Sequence, residues 1–142
     1  MKHLYILLPV LFLFVGCSSN QGDKKNTSSP KNIDSLPTTT VSYDQKILDL
    51  GTITSGEIIT NTFTFTNTGN NDLYIQDVQA SCGCTATDYS KKPVKPGEKG
   101  YISVTFNTQN RQGKQSKTIT VFANTKPHKA TTLRFMAVIK SN

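Results

Sequence analysis

In the stretch 79-QASCGCTATD-88, Cys82 and Cys84 flank a single glycine, and the 142-residue chain holds only one further cysteine, Cys17. Two close thiols can pack as small apolar groups, close a disulfide, exchange electrons with a partner thiol or hold a soft metal ion. Residues two apart on a regular strand share a face, with Cα atoms about 6.6–6.8 Å apart. That is the outer limit of disulfide geometry, so a bridge requires the backbone to bend, and Gly83 supplies the freedom to do so. A redox role needs an exposed, easily reduced bridge and a thiolate favoured by nearby positive charge, for which Lys91 and Lys92 are candidates. Thiol oxidoreductases carry Cys-x-x-Cys at a helix start, which is a different spacing. Zinc needs four ligands, and beyond Cys17 the only histidine is His128, so the one metal suited to this pair is Cu(I) held by two thiolates. Packing, a structural disulfide, a redox pair and a Cu(I) site all stay open at this point.

Other chemistry is absent at the level of motif. His128 sits in the polar loop 124-NTKPHK-129, no Ser-His-Asp set stands out among many serines and threonines, and there is no G-x-S-x-G, H-E-x-x-H or phosphate-binding glycine loop. Asp72, Asp77 and Asp88 each lie in or near a turn, where aspartate serves backbone hydrogen bonding. A non-enzymatic protein with no bound cofactor is expected.

The ends of the chain give an address. Residues 1–16, MKHLYILLPVLFLFVG, begin with a lysine and continue as an apolar run from Leu4 to Val15. The run is shorter than the roughly 20 residues a membrane-spanning helix needs, and it suits the apolar region of a secretory signal. Its end, Phe14-Val15-Gly16-Cys17, resembles a bacterial lipoprotein signal in which the cysteine is lipidated, departing from the usual motif only at Phe14, where leucine is commonest. The resemblance implies a membrane anchor through a covalent lipid on Cys17, and by analogy the outer membrane. Residues 17–40 follow as a Ser/Thr/Asn/Lys-rich segment without aromatics, expected to be a disordered tether. By flexible-chain scaling such a tether holds its domain roughly 25 Å from the membrane on average, with a taut reach of about 75 Å.

Residues 41–142 have the size of one small domain. The formal charge of +7 is unevenly distributed. Between Tyr43 and Ser90 the only base is Lys46, against Asp44, Asp49, Glu57, Asp72, Asp77 and Asp88, whereas from Lys91 onward Glu98 is the only acid. Lys91, Lys92, Lys95, Lys99, Arg111, Lys114 and Lys117 form a candidate surface for an anionic partner, weighed against the plainer reading that they solvate one half of the domain. No nucleic-acid motif accompanies these bases, and an export signal argues against a nucleic-acid partner.

The elements that must position these residues are strands. In 58-IITNTFTFTN-67, Thr60, Thr62, Thr64 and Thr66 fall on one face and Ile59, Phe63 and Phe65 on the other, a period of two. The cluster 67-NTGNND-72 predicts a turn, with a return strand over 73–78. Further strands are predicted at 46–50, 101–108, 117–124 and 131–140, with another near 85–89, and Gly113 is expected in a polar loop. No segment after residue 16 shows helical spacing. About seven short strands of this kind describe an all-β, immunoglobulin-like antiparallel sandwich.

The series 50-LGTI-53, 63-FTFTNTG-69, 73-LYIQDVQASCGCT-85, 96-PGEKGYISVTFNT-108 and 113-GKQSKTITVFAN-124 resembles domain-of-unknown-function family 1573, known mostly from Bacteroidetes envelope proteins. F-x-F-x-N-x-G followed by L-x-I also resembles the wider PapD-like and Hydin-like modules. The resemblance implies the fold and the envelope compartment and assigns no activity. Together the residues lead to a lipid-anchored, non-catalytic binding or structural module with a protein or glycan partner, edge-strand pairing being the mode common among PapD-like modules. The alternative is a thiol-redox or Cu(I)-handling protein centred on Cys82 and Cys84. Oligomeric state is not legible.

Overall fold

A computed structural model describes residues 32–81 and 84–141, and for residues 84–87 it describes the backbone alone. The signal segment, Cys17, most of the expected tether and Cys82 lie outside the described residues. The period-two alternation is realised as β1 (Val41–Tyr43), β2 (Ile47–Thr54), β3 (Ile58–Asn67), β4 (Ile75–Ala80), β5 (Cys84–Tyr89), β6 (Lys99–Asn107), β7 (Gly113–Ala123) and β8 (Ala130–Lys140). They form two four-stranded sheets, ordered β1-β3-β6-β5 and β2-β8-β7-β4, packed as a sandwich. Phe63, Phe65, Ile102, Val104 and Phe106 of the first sheet face Ile75, Ile119, Val121, Leu133 and Phe135 of the second, all buried in one apolar core. Phe106 and Phe135 meet across the layers with ring centroids 5.3 Å apart, in the tilted geometry aromatic pairs favour.

The outward threonines are not idle. Thr60 and Thr105, cross-strand partners on β3 and β6, share a hydroxyl hydrogen bond of 3.0 Å, the hydroxyl pairing that suits a solvent-facing sheet. Gly100 faces Phe65 across the same ladder, and a Cβ there would stand 2.3 Å from the ring. Only glycine lets Phe65 lie flat beneath β6.

The structure differs from the sequence reading in four places. The turn at 67–72 does not close a hairpin, because β3 and β4 belong to different sheets. Leu73, expected within the return strand, instead bridges Val94, and β4 begins at Ile75. Gly113, expected in a loop, opens β7, its positive φ of 70° lying at the strand's first residue. The early strand expected at 46–50 is β2, which runs on through Gly51 in parallel with β8, so the sandwich is not wholly antiparallel, and a further short strand, β1, pairs antiparallel with β3.

The packed unit also begins earlier than Val41. Ile33 is buried, and Thr39 forms a parallel bridge with Thr125. The Thr39 hydroxyl donates to Asn67 Oδ1 at 2.8 Å, while Asn67 Nδ2 donates to the carbonyls of Asn71 and Val94. Asn124 mirrors it, its Nδ2 donating to the carbonyls of Pro37 and Asp72 and its Oδ1 accepting from the Tyr74 N–H. Two buried amides thus tie residues 37–39 to the end of the sandwich. Full pairing is what a buried amide requires.

Candidate functional site

The Cys-Gly-Cys stretch is the link between the two sheets at one edge of the sandwich. It leaves β4 after Ser81, whose N–H donates to the Thr118 carbonyl and whose hydroxyl accepts from the Thr118 N–H. It enters β5 at Cys84, the cross-strand partner of Phe106. Arg111 and Lys117 converge on that same Phe106, with the guanidinium carbon 5.5 Å and the ammonium nitrogen 6.0 Å from the ring centroid. Lys91 and Lys92, the cations first considered as thiolate partners, follow the opposite end of β5. Five strand steps from Cys84 to Tyr89 already span about 16 Å. Arg111 and Lys117 are therefore the cations that stand by the strand position paired with Cys84, a juxtaposition invisible in sequence because it depends on the β5–β6 register. Among the described residues no group of three His, Cys, Asp or Glu side chains could hold a metal ion.

The candidate basic residues are spread over more than one cleft. Lys91, Lys92 and Lys99 line an open cleft of about 410 Å³ with Asp88, Tyr89 and Tyr101. There Tyr101 donates its hydroxyl to Asp88 Oδ2 at 2.8 Å, and the Lys91 ammonium lies 3.2 Å from the Tyr89 ring centroid. The Tyr101 hydroxyl, helped by the Tyr89 N–H, holds the Asp88 carboxyl below its ordinary range, and the same bond pushes the Tyr101 phenol up. Lys99 also reaches Asp44, and Lys95 stands apart in an exposed ion pair with Asp72. Lys114 belongs to a different cleft, on the outer face of the second sheet beside Asp49, Met136 and Val138. The Asp88–Tyr101 pair was missed in the sequence. An outward tyrosine on a strand was its only local sign, and its partner is fixed by register.

A family model, Protein of unknown function (DUF1573), matches residues 41–139. The chain is a member of the DUF1573 family. No curated protein matches its sequence. Among solved structures it resembles a protein of unknown function from Porphyromonas gingivalis W83, at 19% identity and a TM-score of 0.63, over 71% of this chain and 47% of that one. It also resembles the VesB protease of Vibrio cholerae, at 19% identity and a TM-score of 0.59, over 70% of this chain and 32% of that one. The PapD-like domain 7 of human CEP192 aligns over 99% of this chain and 98% of its own, at 16% identity and a TM-score of 0.51. The first two are longer proteins of which this DUF1573 chain spans less than half. At such identities the likeness is one of fold, an Ig-like, PapD-like all-β sandwich.

What the DUF1573 sandwich offers chemically is clearest at its edges. Three edge strands carry an extra residue opposite their neighbours: β2 between Asp49 and Thr52, β4 between Ile75 and Asp77, and β5 between Ala86 and Asp88. Such bulges twist an edge away from further pairing. The fourth edge belongs to β3. β1 covers only Phe65, Thr66 and Asn67, and Asp44 caps Thr64 by donating its N–H to the Thr64 carbonyl. From Ile58 to Phe63 the far side of β3 has no strand beside it among the described residues, while its ladder with β6 runs without a shift.

Proposed function

We propose that this DUF1573 protein is a non-catalytic module of the bacterial cell envelope, anchored by a lipid on Cys17 and holding a protein partner through an open sheet edge. The observation that carries the reading is the bulge-free, uncovered half of β3, since an exposed row of backbone donors and acceptors is the template for strand addition. The lipoprotein-like ending at Cys17 supports the anchor, and its pattern favours the outer membrane. No helix among the described residues is long and apolar enough to cross a membrane. The cleft of Lys91, Lys92, Lys99 and Tyr101 suits an acidic glycan as a secondary contact.

A second reading, thiol-redox or Cu(I) handling by Cys82 and Cys84, draws on the approach of Arg111 and Lys117 to the strand position opposite Cys84. One experiment separates the two. A photo-cross-linking residue at Thr60 in the full chain, expressed in its own envelope, is expected to capture a protein, and the Cys82→Ser/Cys84→Ser chain to capture it equally. Capture that disappears in the folded double-serine chain would move function to the thiols. Absence of any captured protein at Thr60 would remove the edge reading.

A further inference from the structure

Strand polarity defines what the uncovered edge presents. The Thr64 carbonyl points toward β1, accepting from Asp44, and the Thr68 N–H points the same way, donating to Thr40. The Asn67 N–H and Glu57 carbonyl point toward β6 and its flanking residues. In an unshifted antiparallel ladder this alternation persists. Thr60 and Thr62 therefore each direct both N–H and C=O outward, beside an Ile58 side chain that is 67% exposed. No proline, charge or bulge protects residues 58–63, although the other three edges are bulged.

The edge is complementary to itself. We propose that β3 pairs antiparallel with β3 of a second copy of this chain, about a two-fold axis through Asn61, joining two four-stranded sheets into one of eight. The proposal rests on the open-edge reading above and names its partner. In this register Thr60 faces Thr62 of the second copy, exchanging both backbone hydrogen bonds, and the pair recurs by symmetry. Their hydroxyls extend the threonine face that Thr60 and Thr105 already build within one protomer. The place opposite Thr64, where Ile58 of the second copy would fall, is already held by Asp44, so the paired segment runs from Ile59 to Phe63 and ends where Asp44 begins. A two-fold centred on Thr62 would instead drive the incoming strand into β1.

Polarity agrees with that register. Asn61 itself interrupts the inward apolar series of Ile59, Phe63 and Phe65, and its Nδ2 is buried without an acceptor. On the two-fold axis two Asn61 side chains form a non-hydrogen-bonded pair, the type in which side chains stand closest. Rotation of each amide about χ2 lets one donate to the other, a polar pair that specifies register as a lone asparagine does in a coiled coil. One strand pair buries less than the roughly 1,200 Å² of a stable soluble complex. The dimer is accordingly concentration-dependent, and anchoring both copies on one surface favours it.

The test uses the full chain in the membranes of the cells that express it. In a Cys82→Ser/Cys84→Ser background, Asn61→Cys is oxidised and scored for a disulfide-linked homodimer, with Gln115→Cys on β7 as the control position. Cα atoms of a non-hydrogen-bonded pair stand about 4.5 Å apart, within disulfide range. We expect at least fivefold more homodimer from Asn61→Cys than from Gln115→Cys, and its loss on adding Thr60→Lys/Thr62→Lys, which sets like charges opposite one another. Should the lysine pair fail to fold by circular dichroism, Thr62→Pro decides instead, since it removes an N–H that faces outward. Equal homodimer at both cysteine positions, or a homodimer indifferent to the edge variants, overturns the proposal. If Asn61→Cys links to a different protein and the edge variants abolish that link, self-pairing falls while the open-edge reading stands. If it links to nothing, self-pairing falls, and the Thr60 capture decides the open-edge reading.

Discussion

Asn67 gives the phrase F-x-F-x-N-x-G at residues 63–69 its structural meaning. Its amide is wholly buried and makes four hydrogen bonds: it donates to the Asn71 and Val94 carbonyls and accepts from the Thr39 hydroxyl and the Gly69 N–H. The glycine two residues on is required by contact as well, since a Cβ at Gly69 would stand 2.1 Å from the Thr39 hydroxyl oxygen. Asn67→Ala leaves several buried polar groups unpaired, each costing about 1–3 kcal/mol, so we expect a loss on the order of 3 kcal/mol once water re-enters part of the site. Urea unfolding measures it, and a loss below about 1 kcal/mol would show that the network is dispensable. The phrase was legible in sequence and its meaning was not, because all the partners except Gly69 and Asn71 come from segments distant along the chain.

At the scale of elements, alternation identified the strands but could not assign them to sheets. Phe63, Phe65, Ile102 and Phe106 were placed inward correctly because period two follows from backbone geometry alone. Neither the turn at 67–72 nor the polar stretch 44–46 says whether the next strand stays in its sheet or crosses. That choice is made by long-range pairing, β2 with β8 and β4 with β7. The short β1 shows what crossing achieves. Tyr43 packs its ring 5.7 Å from Phe65, and burial pushes its phenol up to about 12, a rise only partly countered by a hydrogen bond with Thr131. An unfolded tyrosine ionises near pH 10. Below that both states hold the proton and stability has no slope from this group. Between pH 10 and about 12 only the folded state holds it, so stability falls as pH rises, and the slope vanishes above. Allowing for partial exposure, this amounts to about 2 kcal/mol across the interval. Tyr43→Phe should remove that part of the alkaline decline, read as a smaller shift in denaturant midpoint between pH 9.5 and 11.5 than the unaltered chain shows. An equal shift would mean that β1 does not hold Tyr43 against the core.

Across the whole molecule, the packed domain begins before Val41, where both the alternation and the family match begin. Composition could not reveal this, because 32-NIDSLPTTT-40 is as polar as the residues preceding it and carries few apolar side chains. The structure uses those few. Ile33 is 5% exposed, Leu36 donates its N–H to the Ile33 carbonyl, and Lys129 pairs with Asp34. Pro37 and Thr38 offer carbonyls to Asn124 and Asn71, and Thr39 joins Thr125 and Asn67. A chain beginning at Val41 loses the burial of Ile33, about 1.5–3 kcal/mol, and leaves part of two buried amides unpaired. It should be less stable than a chain beginning at Asn32 by about 3 kcal/mol, or on the order of 10–20 °C in melting temperature for a domain of this size. Thermal unfolding of the two chains measures the difference. Equal melting temperatures would return residues 32–40 to the role of a passive tether. A large difference makes them a strap, so that tension applied from the N-terminal side is borne first by the Thr39–Asn67 and Pro37–Asn124 bonds rather than by the sheets.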